Sequence, residues 1–163
     1  MKDGFCAALP DQVDAVFALY EKRVQWMNAN GIHQWNENAY LQVFPKEYYI
    51  SQQEAGRLYV WLEGDRVLGA AVLLEEDEGW IGQADARALY VHNLVTDPSA
   101  RGVGKKLLSA GEALARQQGM ECMRLDCARE NAFLNRYYED LGYLPLGQCT
   151  DGPYVGILRE KKL

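Results

Sequence analysis

The sequence has no hydrophobic run long enough to cross a bilayer, which would take about 20 consecutive apolar residues. Its first residues, Met1 to Phe5, lack the apolar core of a secretory signal peptide. From both absences we expect a cytoplasmic protein that does not use a membrane.

Cysteine and histidine are scarce. The chain has two histidines, His33 and His92, and neither has an acidic or thiol neighbour at ligand spacing, so we expect no metal site. No CxxC pair occurs, and two cysteines fall in or beside one predicted strand, which is a poor frame for a disulfide. We therefore expect four reduced, mostly buried thiols. The four cysteines are Cys6, Cys122, Cys127 and Cys149.

The chain also lacks an excess of positive charge. It carries 17 lysines and arginines against 23 aspartates and glutamates, for a net charge of −6 and a pI of about 5.0. Without a basic stripe it cannot replace the counterions of a nucleic acid, so we expect no nucleic-acid partner. The acidic balance leaves room for a cationic substrate, although acidity commonly serves solubility alone.

The overall composition is typical of a folded protein. The chain has 163 residues, 48% apolar and 25% charged, without an internal repeat, a low-complexity tract or a linker. A chain of this length buries a sizeable core. We therefore expect a single domain over residues 1–163.

Apolar periodicity and turn residues predict the order strand, two helices, three strands, helix, strand, helix and two strands. Asp11 is predicted to cap the first helix, and Gly64 and Asp65 to form a hairpin tip. This order predicts an α/β (α+β) fold with a mixed sheet and helices on both faces. The predicted strands cover residues 4–9, 58–62, 67–74, about 87–96, 120–127, 143–146 and 154–158; the helices begin at Pro10-Asp11, at Pro45, after Gly104 and at Asn131.

The most informative stretch begins with the apolar strand Leu89 to Val95. A turn, Ser99-Ala100-Arg101-Gly102-Val103-Gly104-Lys105-Lys106, and an apolar helix follow. Two glycines let backbone N–H groups approach an anion closely, and the helix N-terminus adds about half a positive charge. The turn therefore predicts a phosphate-bearing cofactor. It matches neither a P-loop nor a GxGxxG fingerprint.

About thirty residues later, an asparagine opens a helix that carries paired tyrosines: Asn131-x-x-Leu134-x-x-Tyr137-Tyr138-x-x-x-Gly142-Tyr143. With the strand, turn and helix before it, this segment resembles two signatures of the GCN5-related N-acetyltransferase (GNAT) superfamily. These are Q/R-x-x-G-x-G/A and N-x-x-A-x-x-F-Y-x-x-x-G-F. The resemblance is strongest over residues 88–143 and implies a GNAT-like, mostly antiparallel central sheet.

The resemblance implies acetyl-CoA as co-substrate, without a metal. Backbone groups of Leu94, Val95 and Thr96 would pair with its pantetheine arm as an extra strand would. The family's Gln/Arg position falls on Ser99, and the nearest arginine is Arg101, so the sequence leaves open which of the two supports the pyrophosphate. The pyrophosphate itself would lie against Arg101, Gly102, Val103, Gly104, Lys105 and Lys106.

By the same resemblance, Asn131 would hydrogen-bond the pantetheine, and Tyr138 would protonate the departing thiolate. A phenol suits this role because its ordinary pKa, about 10, keeps it protonated at neutral pH. Each position also has a purely structural interpretation: Asn131 as a helix cap and Tyr138 as a core side chain. We expect Tyr137 to lie in the core.

A direct transfer needs a base for the acceptor amine. The sequence leaves His92, Asp126, Glu75 and water open for this role. Trp26 and Trp35 are candidates for the wall of a pocket that binds a cation, and equally for packing at the end of the first helix.

The resemblance thus implies transfer of an acetyl group from acetyl-CoA to a primary amine by direct attack. A small-molecule acceptor is favoured over a protein lysine or N-terminus, and a homodimer is expected only at the level of the family. Two alternatives come from other classes: a non-catalytic acyl-CoA-binding regulatory domain and a nucleotide-binding module. The missing P-loop and Rossmann fingerprints count against the last.

Overall fold

The computed structural model describes residues 3–32 and 39–163. The helices are α1 (Val13–Ala29), α2 (Tyr40–Val43), α3 (Lys46–Glu54), α4 (Val103–Gln117) and α5 (Ala132–Asp140), with short 3-10 helices at Pro10–Gln12 and Glu78–Trp80. The strands are β1 (Gly4–Ala7), β2 (Leu58–Glu63), β3 (Arg66–Leu74), β4 (Ala88–Thr96), β5 (Cys122–Ala128), β6 (Leu144–Asp151) and β7 (Tyr154–Lys162). Among the described residues, no helix is both long and apolar enough to cross a membrane.

The strands form one seven-stranded sheet in the order β1-β2-β3-β4-β5-β7-β6. Strand β1 pairs with β2, β2 with β3, β5 with β7 and β6 with β7, all antiparallel, whereas β4 and β5 run parallel. The predicted mixed, mostly antiparallel α/β fold is confirmed.

Internal contacts divide the chain into two compact units. The first unit comprises Met1–Leu73 and Asn93–Ala110, and the second comprises Leu74–His92 and Gly111–Leu163. Strand β4 and helix α4 each contribute residues to both units. The expectation of a single domain over residues 1–163 stays a prediction.

In the first unit, a glycine allows helix α4 to pack closely on strand β3. A Cβ atom at Gly69 would lie 2.7 Å from Cδ1 of Leu107, 2.8 Å from Cγ1 of Val103 and 3.2 Å from the carbonyl oxygen of Val95. Real Cβ atoms do not approach so closely, so the first turns of α4 fit only because residue 69 has no side chain. This close packing fixes where α4 begins.

The second unit buries a charged side chain in its core. Arg124 is 3% exposed and donates to Oε2 of Glu160 at 2.8 Å, to the hydroxyl of Tyr90 at 3.0 Å and to the carbonyl oxygen of Ala84 at 2.7 Å. Its guanidinium also lies 4.5 Å from the ring centre of Trp80. A buried charge is tolerated only when it is paired and hydrogen-bonded in this way.

Several predicted elements are confirmed and one cap is wrong. The hairpin closes through Gly64 and Asp65, as predicted, since Glu63 pairs with Arg66. Asp11 does not cap the first helix, because the chain enters α1 through a 3-10 turn in which Oε1 of Gln12 accepts the N–H of Leu9 at 2.8 Å. Helix α2 was not predicted, and β6 and β7 are longer than expected.

Candidate functional site

A buried aspartate sets the path of the chain between β4 and α4. Oδ1 of Asp97 accepts the backbone N–H of Ser99 at 2.9 Å and its hydroxyl at 2.7 Å, while Oδ2 lies 2.8 Å from Nζ of Lys22. The backbone of Asp97 also donates to Leu68 and accepts from Ala100. Burial alone would raise the pKa of Asp97, but the bonds from Lys22 and Ser99 lower it to about 2.

The glycine turn has the backbone shape that anion binding requires. Gly102 has a φ of +81°, and no heavy atom lies within 4 Å of the position that a Cβ would take. Helix α4 begins at the next residue, and the N–H of Lys106 bonds the carbonyl of Gly102 at 3.2 Å. The N–H groups of the first turn before Lys106 have no intrahelical acceptor, as in any helix. These residues fit a pyrophosphate.

The cationic side chains predicted beside this turn lie at the surface. Arg101, Lys105 and Lys106 are exposed, and Nζ of Lys106 lies 3.8 Å from Oε1 of Glu63. The hydroxyl of Ser99 already donates to Asp97, as described above. Of the two candidates, Arg101 is therefore the one whose side chain could extend to a pyrophosphate. A phosphate contact of any of these side chains stays a prediction.

Strand β4 changes conformation at Asn93. This residue has a φ of +54°, in the left-handed region, although it lies inside a strand. Its carbonyl accepts the hydroxyl of Tyr20 at 2.6 Å, its Oδ1 accepts the hydroxyl of Tyr48 at 2.9 Å, and its Nδ2 donates to the hydroxyl of Tyr40 at 2.5 Å. Asparagine tolerates this conformation better than most residues. The sequence signal that was missed is an asparagine within an apolar strand.

The three residues predicted to pair with the pantetheine follow Asn93 directly. Val95 is buried, whereas Leu94 and Thr96 are half-buried. Arg23 donates to both the carbonyl oxygen and Oγ1 of Thr96, at 2.7 and 2.8 Å. The pairing role of these three residues stays a prediction, and at Thr96 it would share the carbonyl with Arg23.

In the second unit, Asn131 caps helix α5. Its Oδ1 accepts the N–H of Leu134 at 3.0 Å. Asn135 braces the same turn, since its Nδ2 donates to the carbonyls of Ala128 at 3.0 Å and Asn131 at 2.9 Å, while Nε of Arg159 donates to its Oδ1 at 3.2 Å. The capping role of Asn131 is confirmed, and its contact with a pantetheine stays a prediction.

Tyr138, the predicted acid, is 8% exposed. Its ring packs edge-on against Tyr137 and Tyr143, with ring centres 5.4 and 6.1 Å away. Burial, followed by the proximity of Cys127, Tyr137 and Asp126, raises the pKa of Tyr138 well above its ordinary value. The phenol is therefore protonated at neutral pH and available as a donor. Tyr137, expected in the core, is half-buried.

The thiol of Cys127 is poorly suited to carry an acyl group. It is buried, and burial raises its pKa to about 11, so little thiolate exists at neutral pH. Its Sγ donates to Oδ1 of Asn135 at 3.3 Å.

Two of the candidate bases lie in one network of the second unit. Nε2 of His92 lies 2.7 Å from Oδ2 of Asp77, and the two side chains are 27% and 13% exposed. Asp126 accepts the hydroxyl of Tyr154 at 2.6 Å and interacts electrostatically with His92 and Asp77, while burial raises its pKa. Glu75 is exposed. Asp77 was missed by the sequence analysis, because it is fifteen positions from its partner.

The predicted aromatic pocket is described only in part. Trp26 is 36% exposed, and the guanidinium of Arg23 lies 4.8 Å from its ring centre, so one face already holds a cation of this chain. Trp35 lies outside the described residues. Their role in an acceptor pocket stays a prediction.

A groove of about 230 Å³ opens in the second unit. Its acidic side chains outnumber the single cation, Arg124, whose charge is already paired with Glu160. The groove is lined chiefly by Glu75, Glu76, Asp77, Asp85, Trp80, Tyr90 and Arg124.

The Asp97 carboxylate predicts a pH-dependent stability. Its pKa is lower in the folded chain than in the unfolded one, so its contribution is complete above about pH 4 and is lost as the pH falls through about 2. We expect Asp97→Asn to lower the free energy of unfolding by about 2 kcal/mol at pH 7. Urea unfolding of both proteins from pH 7 to pH 2.5 should show this difference shrinking below pH 4.

Asp14→Asn is the matched control, because Asp14 also lies 2.8 Å from a lysine, Lys46, but is 83% exposed. Its effect should be much smaller. A difference between Asp97→Asn and the parent that is constant with pH would contradict the interpretation.

The left-handed backbone of Asn93 predicts an unusual order of variant stabilities. Asn93→Gly keeps the backbone conformation and loses the side-chain bonds, whereas Asn93→Ala loses both. We expect the free energy of unfolding, measured with urea, to be about 1 kcal/mol lower for Asn93→Ala than for Asn93→Gly. At Asn30, where φ is −109°, alanine should be at least as stable as glycine. The same order at both positions would show that φ at Asn93 is unimportant.

Comparison with known proteins agrees with this geometry. A family model described as Acetyltransferase (GNAT) family matches residues 18–143. An uncharacterized N-acetyltransferase of Bacillus subtilis, YesJ, is 21% identical, and the match covers 94% of this chain and 89% of that protein.

Two solved structures share the fold. A GNAT-family acetyltransferase from Listeria monocytogenes gives a TM-score of 0.81 at 21% identity, over 98% of this chain and 94% of its own. The PaiA N-acetyltransferase from Thermoplasma acidophilum, in complex with coenzyme A, gives 0.77 at 18% identity, over 100% of both chains. With a family model that matches most of its length, this chain belongs to the acetyltransferase (GNAT) family.

Proposed function

We propose that this protein transfers an acetyl group from acetyl-CoA to a small-molecule primary amine by direct attack of the amine. The observation that carries the proposal is the glycine turn at the start of α4, whose left-handed Gly102 and open first-turn amides suit a pyrophosphate. Membership of the acetyltransferase family supports acetyl-CoA as the donor.

The first unit would hold the cofactor. When bound, acetyl-CoA supplies an activated acetyl thioester. Asp97 keeps the turn in place through Ser99, and Gly69 lets α4 lie against the sheet, so the amides are positioned before any ligand arrives. Such preorganisation lowers the entropic cost of binding. The backbone of Leu94 and Val95 would then pair with the pantetheine, and Lys105 would add charge near the pyrophosphate.

The second unit would supply the acid. Tyr138 would donate its phenolic proton to the departing sulfur, since its raised pKa keeps the phenol protonated at neutral pH. Asn131 caps the helix that carries this tyrosine, and by the family resemblance it would also bond the pantetheine.

The groove of the second unit supports a small, cationic acceptor. Its volume of about 230 Å³ is enough for a small molecule. Four carboxylates line it, which favours an ammonium group over an anion.

Calorimetric titration with acetyl-CoA, and with ATP and NAD as controls, tests the cofactor. We expect acetyl-CoA to bind with a micromolar dissociation constant and the two controls not to bind. Release of CoA would then be measured with spermidine, tryptamine, free lysine and a lysine-containing peptide. We expect turnover with one or more of the three small amines.

Tyr138→Phe tests the acid in the same assay. Loss of the phenolic proton should lower kcat about 100-fold and leave the acetyl-CoA affinity unchanged. Tyr137→Phe is the matched control. It should keep kcat within about twofold of the unmodified protein, because the phenol of Tyr137 transfers no proton in the proposed mechanism.

Any other result would indicate one of the alternative functions. Binding of ATP or NAD in place of acetyl-CoA would contradict the cofactor. Acetyl-CoA binding without turnover of any amine would indicate a regulatory domain. Turnover of the peptide alone would indicate a protein acetyltransferase.

A further inference from the structure

Strands β4 and β5 pair over three positions only, from Ala88 with Cys122 to Tyr90 with Arg124. Beyond them, within the described second unit, β4 continues to His92 and β5 to Ala128 without pairing with each other, although β5 stays paired with β7 on its other side. Two parallel strands that stop pairing leave backbone groups and side chains accessible between them.

We call the unpaired stretch between β4 and β5 the opening. Successive side chains of a strand point to opposite faces, so the position of each residue in its strand decides on which face of the opening it lies. Tyr90 lies beside Arg124, so His92 and Asp126, each two residues further on, share one face. Cys127 points to the opposite face, where it contacts Asn135 of α5, the helix that also carries Tyr138. The opening therefore has a histidine and a carboxylate on one face and the proposed acid on the other.

We propose that His92 is the general base of the reaction and that Asp77 is the residue that positions it. This inference rests on the proposed amine acetyltransferase function. Asp77 accepts a hydrogen bond from Nε2 of His92 at 2.7 Å, which fixes the ring tautomer and leaves Nδ1 as the basic nitrogen. The side chain of His92 is 27% exposed, and the proposal requires an acceptor to reach Nδ1.

The protons and electrons of the step balance as follows. His92 takes a proton at Nδ1 from the ammonium group of the acceptor, and the freed lone pair forms the new C–N bond at the thioester carbonyl. The C–S bond breaks, and the sulfur takes the phenolic proton of Tyr138. The second proton of the nitrogen returns to the phenolate through water, and His92 releases its proton to solvent.

The other candidates suit this role less well. One oxygen of Asp126 is occupied by the hydroxyl of Tyr154, and its thiol neighbour Cys149 bonds it as well. Glu75 is exposed, in a loop. An imidazole also titrates closest to neutral pH, where a base for an ammonium group is most effective. Asp126 instead lies close enough to His92 to stabilise its protonated form electrostatically.

The charged groups around His92 determine its expected pH behaviour. Asp77 faces it from the loop after β3, and Asp126 faces it from β5, with Tyr154 of β7 and Cys149 of β6 beyond. Both carboxylates favour the protonated imidazole. The substitution Asp77→Asn removes one of these two charges and leaves Asp126 in place.

The first test is the pH profile of kcat/KM, with whichever of spermidine, tryptamine and lysine releases most CoA. We expect His92→Gln to lower the plateau at least 100-fold and to remove the titration near neutral pH. Asp77→Asn should reduce the plateau about tenfold, because the imidazole ring is no longer held by a carboxylate. Asp77→Glu should restore part of the loss, which a purely structural role would not predict.

Asp140→Asn, which removes an exposed carboxylate from the end of α5, is the matched control and should leave the profile unchanged. Calorimetry should give the same acetyl-CoA affinity for every variant. An active enzyme whose profile is unchanged in His92→Gln would overturn the inference and leave the proposed function intact. No CoA release from the unmodified protein with any amine would instead overturn the proposed function.

A second test reads the tautomer directly and needs no turnover. The chain has only two histidines, so long-range proton–nitrogen NMR spectra of the labelled protein give two ring patterns, and His92→Gln assigns them. We expect Nε2 of His92 to carry the proton and Nδ1 to be bare at pH 8. Asp77→Asn should abolish this preference. A protonated Nδ1 at pH 8 would overturn the inference.

Discussion

The left-handed conformation of Asn93 is the backbone constraint on which the course of strand β4 depends. A non-glycine residue at a φ of +54° inside a strand is held there only by surrounding contacts, and here three tyrosines from three helices supply them. The residue before it is His92, the proposed base. The residues after it are the strand segment proposed to pair with the pantetheine. Along the chain, the proposed base and the proposed pantetheine segment thus lie on either side of one distorted residue.

The backbone of the candidate cofactor turn is also held by nearby residues, which fix its conformation before any ligand binds. Asp97 bonds Ser99 and Lys22, and Gly69 leaves room for α4 to begin directly above strand β3. The specificity of such a site comes from backbone geometry, and exposed cations such as Arg101 contribute a weaker, salt-sensitive attraction.

Local signals explain what the sequence predicted. Strand β4, helix α4 and helix α5 are found close to their predicted bounds, since apolar periodicity, glycines and an asparagine cap act within a few residues. The contacts that shape the candidate site are distant along the chain: Tyr20 bonds Asn93 over 73 positions, and Asp77 bonds His92 over 15. Composition and spacing carry no record of such pairs. The Asp11 cap failed for a different reason: Asp11 lies inside a 3-10 turn, and Gln12 takes the position before the first residue of α1.

The central claim is the proposal that acetyl-CoA binds along β4 after Asn93 and that Tyr138 protonates its sulfur. A crystal structure of the protein with coenzyme A tests it most directly. The account predicts pantetheine amides bonded to the backbone of Leu94 and Val95, the pyrophosphate on the amides around Gly102, and the sulfur about 3 Å from the phenolic oxygen of Tyr138. Coenzyme A bound elsewhere, or a sulfur whose nearest proton donor is another residue, would contradict it.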